Sequence, residues 1–198
     1  RVAAPVPFSS SIYMFAEALK LGASDAQKAA WLPQIASGEI IGTLATAEGT
    51  QAPSPRTVKA SFSGGTLNGR KLPVPDGETA SVAVVLANTG GAGEQALSLV
   101  LVDLNQDGVT RSAVSTIDPT RGHAEINFDN AAAELIGDEG DGWAMLKRVE
   151  AGAAVLMAFE QVGGAQAALD MAKEYALDRY AFGRQIGSYQ AIKHRLAD

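Results

Sequence analysis

Arg179, Phe182 and Gln190 are the residues of this chain whose types and spacing best suit binding chemistry. They lie in Asp178-Arg179-Tyr180-Ala181-Phe182-Gly183-Arg184-Gln185-Ile186, which is followed by Gln190 and then by Leu196-Ala197-Asp198. Arg179 closes a long helical pattern, Phe182-Gly183 turns out of it, and Ser188 is placed to N-cap a second helix carrying Gln190. Guanidinium and amide are then expected to face one corner. A guanidinium offers a fixed fork of donors to a phosphate or pyrophosphate, and a carboxamide offers both a donor and an acceptor. Such a corner suits a dinucleotide. Taken singly, the same residues are an arginine snorkelling at a helix end and a solvated glutamine.

Other candidate sites are weaker. Asp103-x-Asn105-x-Asp107-Gly108 opens like a calcium loop, but position twelve is Val114 and the flanks are strand-like, so a hairpin turn is expected. Gly90-Gly91-Ala92-Gly93 precedes a strand run instead of a helix and reads as a flexible connection, not a phosphate cradle. His123 and His194, the only two histidines, read as structural or surface residues, and no metal site is expected. No Gly-x-Ser-x-Gly elbow is present. With no cysteine there is no disulfide, thiolate site or Cys nucleophile, which fits a cytoplasmic protein.

The 198 residues, 46% hydrophobic and 19% charged, are those of an ordinary globular protein. A net charge of -6, with no basic run longer than Lys147-Arg148, argues against a nucleic-acid partner. Ala151 to Ala158, the most apolar helical stretch, is too short to span a bilayer, so a soluble protein with no membrane partner is expected.

The elements that must position these residues follow from periodicity. Ser9 to Ser11 are N-cap candidates for a helix whose apolar positions Ile12, Phe15, Ala16 and Leu19 run to Gly22. Ser24 and Gln27 have the spacing of a capping box for a second helix, with Trp31-Leu32 as anchors and Pro33 and Gly38 marking its exit. Short strand-like runs then occupy 40–47, 57–63, 80–88, 96–104, 109–117 and 124–128, punctuated by Asn68-Gly69, Asp76-Gly77 and Asp107-Gly108. From Trp143 to about Tyr180 there is no proline, which predicts a helix roughly 55 Å long at ~1.5 Å per residue. Such a helix belongs in a bundle, with Gly163-Gly164 explained by close packing against neighbours. A last helix is expected from about Tyr189 to Asp198, with Ile192 and Leu196 in mid-pattern and no C-cap, as in a truncated chain.

Arg-x-x-Phe-Gly, then Ile186, Gln190 and Leu196-Ala197-Asp198, resembles the acyl-CoA dehydrogenase family. So do Gly22 to Lys28 with Trp31-Leu32-Pro33 and Gly38-Glu39, and Leu67-Asn68-Gly69-Arg70-Lys71. The resemblance runs from about Leu19 to Asp198 and implies an α+β fold with helical segments flanking a middle antiparallel β domain. The implied division is 1–39, the end of an N-terminal helical domain; 40–130, the β domain; and 131–198, the start of a C-terminal helical bundle. Family members place a Thr/Ser-Glu-Pro-x-Ala-Gly-Ser-Asp loop on the flavin, matched here by Ala45 to Pro53. Ala47 and Pro53 lack the expected hydroxyls, which leaves Thr46 and backbone donors; a strand followed by a proline-rich loop is the other reading. The family's Trp-Ile-Thr strand is replaced by Leu72-Pro73-Val74-Pro75, which offers shape but few hydrogen bonds.

The resemblance implies FAD as cofactor, contacted by Arg179, Phe182, Gln190 and Thr46, an acyl-CoA substrate, an electron-transfer flavoprotein as partner, and a homo- or hetero-dimer or tetramer. Where some relatives carry a catalytic Glu-Arg pair, this chain has Ala153-Ala154, and Glu150 lies about one turn earlier. No catalytic residue is therefore expected within the chain. The alternatives are a non-catalytic subunit that completes a partner's FAD site, and a binding module without flavin.

Overall fold

The structure, a computed structural model, describes residues 6–118 and 120–197. Asp198, expected at the end of the last helix, lies outside the described residues. The N-terminal helix starts with π-type winding over Ser9–Ala16 and continues as α1, Glu17–Gly22. Its serines do not cap it, contrary to expectation, since Phe8 precedes the helix in helical conformation with no side-chain cap. They make tertiary bonds instead. Ser11 Oγ donates to Gly42 O (3.0 Å) and accepts from Gly42 N (3.1 Å), and Ser10 Oγ donates to Asp76 Oδ2 (2.6 Å). The second helix, α2, is Asp25–Ser37 and carries the expected capping box between Ser24 and Gln27. The Gln27 amide also donates to Glu134 Oε2 and Leu135 O, so the cap is pinned to the sheet. Pro33 lies inside the helix rather than at its exit, and Gly38, left-handed at φ 76°, closes it.

Eight strands form one sheet: β1 Gly42–Ala45, β2 Ser61–Ser63, β3 Thr66–Pro75, β4 Val82–Asn88, β5 Leu97–Asp103, β6 Val109–Val114, β7 His123–Ala132 and β8 Glu134–Ile136. The order is β6-β7-β3-β2-β4-β5-β8, with β1 also on β4. The sheet is antiparallel except that β1 and β2 pair parallel to β4. The long excursion from β1 to β4 supplies the crossover that a parallel pair needs. A strand alternates its side chains across the sheet, so the buried runs of β4 and β5 require cover on both faces. Val82, Val84, Leu86, Leu97, Leu99 and Leu101 pack with Phe15, Leu19, Leu146 and Val149. On the other face Ala83, Val85, Val100 and Val102 pack with Leu67, Val74, Ile126 and Phe128. Each fully buried Val, Leu, Ile or Phe contributes ~1.5–3 kcal/mol.

Two turn expectations change. Asn68-Gly69 is not a turn: the β2–β3 reversal is made by Gly64-Gly65, both left-handed at φ 58° and 82° with Ser63 opposite Thr66, the backbone of a tight hairpin. Asn68 instead holds a register shift between β3 and β7, where Asn130 N donates to its Oδ1 (2.8 Å). Asp103 to Gly108 joins β5 to β6, which do not pair, so it is no hairpin. Asp103 Oδ1 accepts from Asn105 N, and the Asn105 Oδ1 accepts from Arg111 Nη2, a cation where calcium would need a ligand. β8 is a strand the sequence pattern did not reveal, being only three residues long.

The helix α3 is Gly142–Asp178, and the chain divides into two compact units, one ending at Ala154 and the other beginning at Val155. A Cβ at Gly163 or Gly164 would meet nothing within 4 Å, so the close packing expected of them is not made within this chain. The second unit ends in a small hairpin of β9, Tyr180–Ala181, and β10, Arg184–Gln185, followed by a 3-10 turn over Ile186–Ser188 and α4, Gln190–Ala197. Among the described residues no helix is long and apolar enough to cross a membrane.

Gly69 has φ +129°, and a Cβ there would lie 2.7 Å from Ala60 Cα. Gly69→Ala is expected to lower the unfolding free energy by about 1–3 kcal/mol, read from the denaturant midpoint at constant slope.

Candidate functional site

The loop after β1 is shaped by a buried charge. Lys71 lies on β3 with its side chain 0% exposed, and its ammonium donates to Glu48 Oε1 (2.7 Å) and Thr46 O (3.2 Å). The Glu48 carboxylate also accepts from Lys59 N (2.8 Å) and Ala60 N (3.0 Å), which closes residues 49–58 into a loop whose ends are tied by one side chain. Leu72 N donates to Ala47 O, so strand β3 holds this segment by its backbone as well. Burial raises the Glu48 carboxyl, but the Lys71 hydrogen bond, the Ala60 N–H, the Lys71 charge and the Lys59 N–H together hold it below its ordinary value. Burial pulls the Lys71 ammonium below the usual lysine value, and Glu48 opposes that. In the sequence, Lys71 stands out only as the end of the Leu67-Asn68-Gly69-Arg70-Lys71 motif. Its position four residues after Leu67 puts both on one face of a strand, which was the available signal for a buried lysine.

Two cavities adjoin this segment. The larger, about 400 Å³, is lined by the loop itself, including Thr46, Glu48, Thr50, Arg56 and Lys59. The smaller, about 150 Å³, is lined by Thr46, Pro73, Pro75, Leu146, Val149 and Glu150 among others. Thr46 lines both. Its hydroxyl has no hydrogen-bond partner among the described residues, and Met14, Leu44, Leu146 and Val149 line the smaller cavity together with the two prolines. The residues present therefore fit a planar ring with a polar edge: a free hydroxyl and loop backbone for the edge, and apolar side chains with Pro73 and Pro75 for the ring. Glu150 reaches this smaller cavity, but its Oε2 accepts from Lys147 Nζ at 2.8 Å, and its side chain is 44% exposed. Its ion-pair partner is thus Lys147, three residues before it on the same helix. Ala153 is buried and Ala154 exposed.

In the second unit, Arg179 follows the last residue of α3, and its N–H still bonds Tyr175 O (2.9 Å). Its carbonyl accepts from Ile186 N (2.8 Å), which joins the two ends of the β9–β10 hairpin. Phe182 and Gly183 form the tip, both left-handed at φ 55° and 78°, and Phe182 is 97% exposed. Ser188 does not cap α4 as expected; its Oγ donates to Gln185 O (2.6 Å) instead, because a 3-10 turn intervenes. Gln190 is the first residue of α4 and is exposed, as is Arg179. Tyr189 steadies this corner through its hydroxyl on Ala181 O (2.9 Å) and the Arg184 guanidinium over its ring at 3.9 Å. The guanidinium of Arg179 has no partner among the described residues, so its fork is free for an anion.

A carboxylate with a depressed folded pKa stabilises fully above its unfolded value, about 4.3, and loses that contribution as pH falls through the folded value. The stability gap between the parent protein and Glu48→Gln is therefore expected to be widest near neutrality and to shrink below about pH 4, measured by urea denaturation across pH. Lys71→Met, which leaves Glu48 unpaired, is expected to cost about 3–5 kcal/mol at pH 7 in the same assay.

Known proteins match the chain across both units. Residues 140–198, which contain Arg179, Phe182 and Gln190, match the family model for the acyl-CoA dehydrogenase C-terminal domain. An acyl-CoA dehydrogenase of Bacillus subtilis is 33% identical over 185 residues, 88% of this chain and 49% of its own length. The mitochondrial isovaleryl-CoA dehydrogenase of Oryza sativa is 32% identical over 186 residues, 88% of this chain and 45% of its own. The solved butyryl-CoA dehydrogenase of Megasphaera elsdenii superposes with a TM-score of 0.89 at 23% identity, over 97% of this chain and 53% of that one. The chain spans about half the length of the curated relatives it matches. The family-model match at residues 140–198, with relatives above 30% identity over 88% of this chain, makes the chain a fragment of the acyl-CoA dehydrogenase family.

Proposed function

We propose that the protein containing this chain is an FAD-dependent acyl-CoA dehydrogenase that introduces an α,β double bond into an acyl-CoA thioester. The observation that carries this reading is the braced loop beside a cavity of about 400 Å³, with the Thr46 hydroxyl free at its edge, in a chain whose relatives are dehydrogenases. When bound, FAD supplies the acceptor for the β-hydride of a thioester whose α-proton is taken by a carboxylate. Thr46 and the loop backbone would hold its pyrimidine edge. Pro73 and Pro75 offer a flat wall with no N–H to compete for it. Arg179 would meet the pyrophosphate, with Phe182 and Gln190 beside it, in an oligomer where a hairpin tip as exposed as Phe182 would be covered by the cofactor or a neighbouring subunit. Electrons leave to an electron-transfer flavoprotein, and the absence of cysteine suits a cytoplasmic site of action. The base lies outside this chain, because Ala153 cannot take a proton and Glu150 is held by Lys147. A non-catalytic subunit is not favoured, since the relatives of this chain are named as dehydrogenases.

The test is a flavin absorbance spectrum of the intact protein, followed by bleaching on addition of acyl-CoA; a colourless protein that no FAD reconstitutes overturns the reading. Arg179→Ala is expected to weaken FAD retention roughly ten- to hundredfold, for a charge-assisted contact of ~1.5–3 kcal/mol, measured by equilibrium dialysis. Glu150→Gln is expected to leave the dehydrogenation rate within about threefold. A loss of about 10³-fold would place the base on α3.

A further inference from the structure

We propose that Lys71 is a positioning residue, whose buried ammonium acts through Glu48 and the Thr46 carbonyl to hold the 46–60 segment in the shape that receives a ligand. The site it positions is the one assigned above, so this inference rests on the flavin reading.

A lysine with no exposed surface is rare, because desolvating an ammonium costs several kcal/mol and side chains of ordinary hydrophobic shape fill such sites as well or better. Core stability alone therefore gives no reason for a lysine here. The geometry does. Its two acceptors, Thr46 O and Glu48 Oε1, lie two residues apart on the segment leaving β1, so one cation fixes the backbone at one point and a side chain at the next. Glu48 passes the constraint on, its two oxygens taking the N–H groups of Lys59 and Ala60, eleven and twelve residues further along. Ala60 is itself tied to the central sheet, where its carbonyl accepts from Asn88 N at 2.7 Å. Between these anchors the loop has one internal turn, in which Thr57 N and Val58 N donate to Ser54 O. Without the carboxylate, no hydrogen bond among the described residues joins Glu48 to Lys59. Thr46 and Glu48 both line the larger cavity, so the atoms that Lys71 holds belong to its wall.

The experiment uses the double substitution Glu48→Gln/Lys71→Met in the intact protein, which removes both charges while keeping similar volumes, so that no lone charge is left buried. Two readouts are taken: backbone amide hydrogen exchange with no cofactor present, and the FAD dissociation constant. A positioning role predicts exchange at least about tenfold faster for residues 49–60, unchanged exchange in β4 and β5, and an FAD dissociation constant raised about tenfold or more. Exchange that rises across β4 and β5 to the same degree would make Lys71 a general stability residue and overturn the proposal. So would a loosened loop with FAD affinity within about twofold of the parent, or no change in either. If the parent protein itself takes up no FAD, the functional reading fails by that result alone; unchanged exchange at 49–60 then overturns the brace separately, and faster exchange confined to 49–60 supports it.

Discussion

The Lys71 ammonium, with no exposed surface, is the constraint around which the first unit's candidate site is organised. A charge in that position has to be matched by acceptors in fixed places, because an unpaired ion in the interior costs several kcal/mol. The chain supplies a carbonyl at Thr46 and a carboxylate at Glu48. The carboxylate in turn needs further donors, and it takes them from the backbone at Lys59 and Ala60. Electrostatic satisfaction thus specifies the path of a loop that has little apolar burial of its own. Hydrophobic packing could not do this, being non-directional.

That brace is only as firm as the sheet beneath it. β4 and β5 are buried on both faces, and β4 takes β1, β2 and β5 as partners. The strand that carries Lys71 and the strand that leads to Thr46 are therefore both referred to one rigid core. The serines at the head of the N-terminal helix add to this by bonding Gly42 and Asp76 instead of capping their own helix. A cap is worth about 1 kcal/mol. Exchanging it for buried tertiary bonds fixes the helix against β1 and against the turn after β3.

The second unit works differently. Its candidate binding residues lie on and beside a short hairpin whose tip residues are left-handed and exposed, steadied by Tyr189 and Arg184 rather than by a core. Exposed apolar side chains on α3 such as Phe159, Val162 and Met171 belong with a family in which this chain is about half of each relative.

Local chemistry made several features readable from the amino-acid order. The Ser24–Gln27 capping box, the Gly38 helix end, the long α3 and the apolar runs of β4 and β5 are decided by short-range hydrogen bonding, left-handed tolerance and periodicity, which travel with the residues themselves. The Arg179 to Gln190 segment was legible for the same reason, since a helix end followed by Phe-Gly must turn. Tertiary structure decided the rest. Asn68-Gly69 has ideal turn composition, yet the reversal falls at Gly64-Gly65 because pairing with β7 claims Asn68 for a register shift. Ser9 to Ser11 and Ser188 have capping chemistry that longer-range acceptors or an intervening turn take away. Lys71 and Glu48 are 23 residues apart in the chain and 2.7 Å apart in space. Nothing in local propensity encodes that meeting, because it depends on which strand lies beside which.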